Sequence, residues 1–312
     1  MLEALIALGG LLISAEFWQA AIRSAAPISA AAAGEAVTEK TGVLNIGIEG
    51  MMLMSAFCAV WGSGATGSAW GGLAIGMLCG GIIAAFHAFV VLWLKADQIL
   101  SGVAINLAAL GSSTYLSRMV MGEDPKPVPS FETFALPLLG KIPFIGKLFF
   151  EYHALVYLLY FLTALIAWAL FRTHYGLRLR AVGENPQTVA NAGYSVLSLR
   201  AAAVVFGGLM AGIAGAAYAL GNVSYFTENM TAGVGFVALA LVIVARWNPI
   251  WLIPVGLIFG GGQALALRGQ TVNLNVPFEW LMALPYILTL VVYFIVSGKR
   301  NAAPAMLGKE LT

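Results

Sequence analysis

An all-α, polytopic transmembrane bundle is the fold class that three features of the sequence predict. Of its 312 residues, 60% are hydrophobic and only 10% charged, where an ordinary soluble domain carries about 25% charged residues. The apolar residues fall in blocks long enough to cross hydrocarbon, and mean hydropathy is +0.89. Glycine is abundant at 36 residues, and in lipid small side chains let helices approach where no hydrophobic force drives them together.

Along the chain the blocks predict spans at residues 16–33, 45–62, 69–94, 98–119, 152–171, 201–220, 233–247, 250–267 and 278–297. That makes about nine, with eight to ten as the range, and with broken or re-entrant segments among them. Residues 1–13 are apolar but short for a crossing and are expected to lie at the interface as a helix. Met1-Leu2-Glu3 carries no basic n-region, so a cleaved signal peptide is not expected. The 233–247 piece falls short of a full crossing, which predicts a half-helix or a tilted pair with its successor. Residues 120–151 hold Pro125, Pro127, Pro129, Pro137 and Pro143 and read as a structured or extended cap, too small for a second domain. Residues 1–312 thus form one transmembrane domain.

Residues 173–200 are a polar, Arg-bearing island. Asn185 is a natural N-cap and Pro186 a natural first helical residue, because its ring fixes a helical φ and its missing N–H would be unpaired anyway. Gly193 supplies a stop. A helix of about two turns, roughly 10 Å long, is therefore expected between Arg172, Arg178 and Arg180 on one side and Arg200 on the other, a knob suited to a partner's groove. Placing this loop in the cytoplasm puts ten of the 16 Lys and Arg inside and five outside, with Arg23 inside a span. That is the bias expected of a chain with its N-terminus out and its C-terminus in.

The run TEKTGVLNIGIEGMMLMSAF from Thr38 sets Asn45, Gly47, Glu49 and Gly50 at the start of an apolar span. A carboxylate at depth is costly unless it faces a cavity, a partner or water, and the glycines weaken a regular helix. One reading is an unwound segment lining a pathway; the other keeps Glu49 at the interface, with Asn45 capping the helix. Arg23 either pairs inside the bundle or snorkels. Gln98, Ser101 and Asn106 serve helix association or substrate. Asn45, Glu49 and Asn106 are the pathway candidates, and Phe236 reads as packing. Gly80, Gly81, Ala84 and Ala88 form one small-residue stripe, and Gly208, Ala211, Gly212, Gly215 and Ala219 another. With residues 41–53 and 231–243 they hint at an internal repeat, although such stripes are also the ordinary packing solution of a bundle.

Absent motifs narrow the function. There is no GxxxxGK[ST] phosphate cradle and no Ser/His/Asp, HExxH or Cys/His constellation, so no catalytic or metal residue is assigned. His87, His153 and His174 stand in separate segments and read as isolated hydrogen-bonded side chains. Cys58 and Cys79 read as small buried hydrophobes. The spans lack the chain of buried acids and histidines that a proton relay needs. A net charge of +2 with its basic residues in loops offers no nucleic-acid patch. Energy for uphill movement would have to enter from another polypeptide.

Four blocks carry a resemblance: TEKTGVLNIGIEGMML from Thr38, QILSGVAINLAALG from Gln98, GLRLRAVGENPQTVANAGYSV from Gly176 and NMTAGVGFVALALVIVARWNP from Asn229. They resemble the membrane permeases of ABC importers for nucleosides, in the wider group of ribose-type sugar and branched-chain amino-acid permeases. The similarity runs from Glu35 to Pro249 and departs at Val244 and Ala245, where an aromatic-glycine pair is usual. It implies a multi-pass bacterial inner-membrane subunit that forms the translocation pathway. Its partners would be a second similar permease, two ATP-binding cassette ATPase subunits and an extracytoplasmic substrate-binding protein. The chain itself would bind no cofactor, ATP and Mg being held by the ATPase. Gly183, Glu184, Asn185, Pro186 and Ala190 would form the coupling element seated in a cleft of that ATPase. Nucleosides are the expected substrate and simple sugars the nearest alternative. A gradient-driven carrier or channel is the rival reading.

Overall fold

The computed structural model describes residues 9–10, 13–122, 126–135, 145–269, 278–297 and 303–309. The expected interfacial helix therefore lies mostly outside the described residues, as do Pro125, Pro137, Lys141, Pro143, Lys299 and Arg300. Helix α1 (Ala15–Lys40) begins where the Ser14 hydroxyl accepts the Phe17 N–H. Its alanine-rich run from Ala25 to Ala36 is buried on every side, which makes it the central post. Helices α2 (Ile48–Thr66), α3 (Ala69–Ala88, continued by a π-helical turn, Phe89–Trp93) and α4 (Gln98–Met121) follow. Asp97 caps α4 by accepting the Leu100 N–H at 2.8 Å.

The proline-rich connection closes one end of the bundle. Its strand β1 (Phe134–Ala135) pairs antiparallel with β2 (Glu151–Tyr152), and the short α5 (Ile145–Phe149) lies between them. The Val128 and Phe131 N–H groups donate to the carbonyls of Ser224 and Leu220, at 2.9 and 3.1 Å, and stitch the cap across the helix ends. Then come α6 (Ala154–Arg172), α7 (His174–Glu184), α8 (Pro186–Asn191), α9 (Val196–Asn222), α10 (Val234–Val244), α11 (Pro249–Gly269) and α12 (Phe278–Ser297).

Among the described residues six helices, α2, α3 with its π turn, α4, α6, α9 and α11, are long and apolar enough to cross a membrane. The expected count of about nine is thus not established by length and hydropathy. Helix α1 is long enough at 26 residues, but alanines and three glutamates make it less apolar; α10 and the Ala283–Ile295 part of α12 are shorter apolar helices. The fold is a polytopic helical membrane bundle. Exposed Leu78, Ile82, Phe86, Leu107 and Trp168 face outward, as lipid contact requires.

The two small-residue stripes meet each other. A Cβ on Gly80 would stand 2.8 Å from the Cα of Gly212, and one on Gly212 would stand 2.7 Å from the Gly76 carbonyl oxygen. The α3–α9 seam is therefore backbone against backbone, which only glycine permits. Gly212→Val is expected to overpack it by about 1–3 kcal/mol and to lower the unfolding midpoint in detergent by several degrees. Gly111→Ala, whose Cβ would meet nothing within 4 Å, should leave the midpoint unchanged. Equal midpoints for the two variants would contradict the close-packed seam.

Candidate functional site

Residues 41–47 leave α1 without regular structure, with Gly42 at φ +87°, and dip into the bundle. Unwound backbone shielded from water needs partners for its N–H and C=O groups. Side-chain amides and a carboxylate supply them. The Leu44 N–H donates to Gln98 Oε1 at 2.6 Å and the Asn45 N–H to Glu35 Oε1 at 3.2 Å. Asn106 accepts the Gly50 N–H at 2.8 Å and donates from Nδ2 to the Ile46 carbonyl at 3.0 Å. Gln98 and Asn106 are eight residues apart on α4, so the segment is held over about 12 Å of depth. Close approach is possible because Gly47 and Gly102 face each other; a Cβ on Gly102 would stand 2.8 Å from the Gly47 nitrogen.

A second unwound segment, 224–233, follows α9, with Ser224, Asn229, Ala232 and Gly233 all at positive φ. It feeds α10, an 11-residue half-helix of about 16 Å, in keeping with the expectation for this stretch. The two segments meet at Glu49. Its Oε1 accepts from Thr231 Oγ1 at 2.6 Å and from the Gly233 N–H at 2.9 Å, and its Oε2 accepts the Gly235 N–H at 2.6 Å. Glu49 is 7% exposed and fills the place at a helix N-terminus where free N–H groups and the helix dipole favour an anion. At the other end of α10 the indole N–H of Trp247 donates to Glu39. Arg246 and Trp247 both take left-handed φ, +55° and +56°. The aromatic Phe236, expected to pack, is 46% exposed.

The structure thus brings Asn45, Glu49 and Asn106 into the same region, where Glu49 and Asn106 hold backbone through their side chains and Asn45 gives its own backbone N–H to Glu35. Asn45 is fully buried, with its amide nitrogen on the Met51 sulfur at 3.5 Å. His87 follows its expected part, with Nδ1 2.9 Å from Ser101 Oγ.

At the end of the bundle that carries the 173–200 loop, α7 and α8 form the expected knob. Asn185 Oδ1 accepts the Thr188 N–H at 3.2 Å, Pro186 opens α8, and Gly193 turns the chain at φ +84°. Val189 pins the knob inward while Glu184, Asn185 and Ala190 are exposed and Pro186 is half-buried. Gly183 lies underneath: a Cβ there would collide with the Lys40 carbonyl. The Arg178 guanidinium lies 4.1 Å from the Tyr194 ring centroid and that of Arg180 5.0 Å from Phe171, which stiffens the mount.

Residues 303–309, which the sequence reading gave no role, dock here. The Met306 N–H donates to the Gly183 carbonyl at 2.9 Å, and the Lys309 carbonyl accepts from Gln98 Nε2 at 3.1 Å. Arg200 donates from Nε to the Thr41 carbonyl at 3.2 Å. At the opposite end Arg118 grips Glu228 through two bonds of 2.6 and 3.1 Å, which hold the Glu228 carboxyl below the usual carboxylate range. These pairings join residues over a hundred positions apart, and no spacing in the sequence marks them. Only the polar character of Gln98 and Arg118 within apolar surroundings could have flagged them.

A helical membrane bundle with two unwound segments meeting in its interior, and a capped knob at one end, has the anatomy of a transport permease. The comparisons agree. The chain belongs to the permease family described as "Branched-chain amino acid transport system / permease component", whose pattern matches residues 19–293. It is 35% identical over 303 residues to the guanosine ABC transporter permease protein NupQ of Bacillus subtilis, covering 92% of this chain and 95% of that one. It is 34% identical to the nucleoside ABC transporter permease protein NupC of Lactococcus lactis, covering 89% and 91%. A putative glucose ABC transporter permease protein, TsgC13 of Haloferax volcanii, is 35% identical with 82% and 78% covered. No solved structure matches.

The Glu49 cap makes a direct prediction. Gln at this position puts an amide where the half-helix presents donors, so Glu49→Gln should lose about 2–3 kcal/mol of stability. Unfolding midpoints in detergent should fall in the order wild type, Glu49→Asp, Glu49→Gln. A wild-type midpoint for Glu49→Gln would mean the cap is dispensable.

Proposed function

We propose that this chain is the permease subunit of an ATP-driven importer and forms the pathway for nucleosides across the inner membrane. Its N-terminus lies outside and the α7–α8 knob lies in the cytoplasm. The observation that carries the substrate reading is Glu49. In a bundle with an interior half-helix, the free N-terminus of that helix is the natural seat for a substrate carboxylate. Here the protein's own carboxylate occupies it through three hydrogen bonds. A site so filled selects against anionic amino acids and suits a neutral solute, which nucleosides are. Relatives of nearly equal length that carry guanosine or nucleoside in their names support the choice. Simple sugars are neutral as well, and the glucose-named relative keeps them as the second reading.

The energy enters through partners. ATP-binding cassette ATPase subunits hold ATP and Mg, a second homologous permease completes the pathway, and an extracytoplasmic binding protein delivers substrate; the chain performs no covalent chemistry. Closure of the ATPase pair displaces the surface of Glu184, Asn185, Pro186 and Ala190, with Gly183 acting as the buried pivot beneath it. From there the displacement reaches the unwound 41–47 segment through Met306, Lys309 and Gln98 in turn. Asn45, Glu49 and Asn106 shape the pathway by setting where its backbone can go.

Uptake of tritiated nucleoside into proteoliposomes bearing the complete importer tests this: it should require ATP, and uptake that survives without ATP or without the ATPase would establish a gradient-driven carrier instead. Replacing Glu184 and Pro186 together by alanine should leave the protein inserted and assembled but separate ATP hydrolysis from uptake, with uptake falling by about tenfold or more. Normal coupled uptake in that variant would remove the knob from the mechanism.

A further inference from the structure

Arg23 has no role in the arrangement above. It stands eight residues past the start of α1, about 12 Å along the helix axis and inside the expected 16–33 span, yet it is exposed, and no described carboxylate pairs with it. A charge at that depth is costly unless it faces a water-filled or ligand-filled space. Such a space is present. A cavity of about 340 Å³ opens between α1, α9, α11 and α12, lined by Arg23, Ser24, Tyr218, Asn222, Gln263 and Tyr286 among others.

The lining has a definite chemistry. Arg23 offers a fork of fixed donors, and Gln263 and Asn222 offer a donor and an acceptor each. Tyr218 and Tyr286 offer flat ring faces with a polar tip, and Pro285 and Leu267 complete an apolar wall. No carboxylate is among the described lining residues. The volume lies at the small end of the roughly 300–1,000 Å³ range of small-molecule sites. The cavity also abuts the moving parts. The Tyr286 hydroxyl donates to the Ala232 carbonyl at 3.1 Å, one residue before the Gly233 that Glu49 holds.

We propose that this cavity is a nucleoside-binding station of the pathway, in which Tyr218 and Tyr286 receive the base and Arg23, Gln263 and Asn222 recognise its polar edge and the ribose hydroxyls. The assignment rests on the importer reading given above. A ligand seated here touches α9, α11, α12 and the lead-in to the α10 half-helix together. Its arrival and release are thereby tied to the Glu49 junction, and Tyr286 is the contact between them.

The test uses the complete reconstituted importer, with binding protein in excess, and tritiated guanosine, uridine and glucose as probes. Gln263→Leu and Arg23→Met are each expected to slow nucleoside uptake by about tenfold and to change the guanosine-to-uridine ratio, and Gln263→Asn to restore part of it. Photolabelling with an azido-purine nucleoside covers the case in which a variant fails to assemble: in the unsubstituted importer the label is expected on α9 or α12. Uptake rate and ratio indifferent to both substitutions, or label confined to other helices, would overturn the cavity assignment alone. Glucose uptake without nucleoside uptake in the unsubstituted importer would instead overturn the functional reading on which it rests.

Discussion

Backbone in a bilayer must satisfy its own hydrogen bonds, and this chain breaks its helices twice in the interior. Everything else in the structure depends on how those two breaks are reconciled, and Glu49 is where it happens. One carboxylate, sited in the first turn of α2, reaches across to close the unwound segment ahead of α10 with three charge-assisted bonds. Such bonds are roughly twice as strong as neutral ones, and they replace partners that water would otherwise have to provide. The first break, at 41–47, is held by Gln98, Asn106 and Glu35 in the same manner. Gln98, Asn106, Glu35 and Glu49 are thus placed beside the stretches where regular helix is missing.

Set against these breaks is a rigid frame. The α3–α9 seam brings glycine backbones into direct contact, and α1 threads its alanines through the middle of the bundle. At their closest points backbone meets backbone, with Leu209 and Met210 packed tightly against Gly81 and Gly34 beside them. A push at one end is therefore transmitted rather than dissipated, since close-packed interiors deform little. The knob is mounted on this frame through Gly183, which touches Lys40 of α1 directly and Met306 by a hydrogen bond of 2.9 Å. Gln98 closes the circuit, because the same side chain accepts from Leu44 and donates to Lys309.

Much of this was legible in the sequence where the signal is local. Asn185, Pro186 and Gly193 announce a capped short helix because capping is decided by a few neighbouring residues, and the structure places that helix within the expected bounds. The shortness of the 233–247 block announced a half-helix for the same reason. What was not legible depends on pairings across the chain. Glu49 could be read as a pathway residue or an interfacial one, and nothing nearby reveals that its partners are Thr231, Gly233 and Gly235. The similar small-residue stripes invited a reading as repeated halves, yet spacing alone cannot say that they are the two faces of one seam. Length and hydropathy establish six spans among the described residues and leave the count of about nine open, the difference being α1, whose buried charges and alanines lower its hydropathy, and the shorter apolar pieces in α10 and α12.

The same division governs what the buried carboxylates of this bundle can do. A carrier driven by protons needs buried acids that gain and lose a proton as the pathway turns. Among the described carboxylates, Glu49 accepts from three donors, Glu39 from the Trp247 indole and Glu35 from the Asn45 N–H, while Arg118 grips Glu228 at the opposite end. Carboxylates so occupied serve as fixed struts. Between these struts the bundle has two unwound segments and an exposed knob at one end, while Arg23 faces a cavity. Guanosine and the nucleosides named for its relatives are neutral, which suits an interior whose carboxylates are already occupied by the protein's own donors.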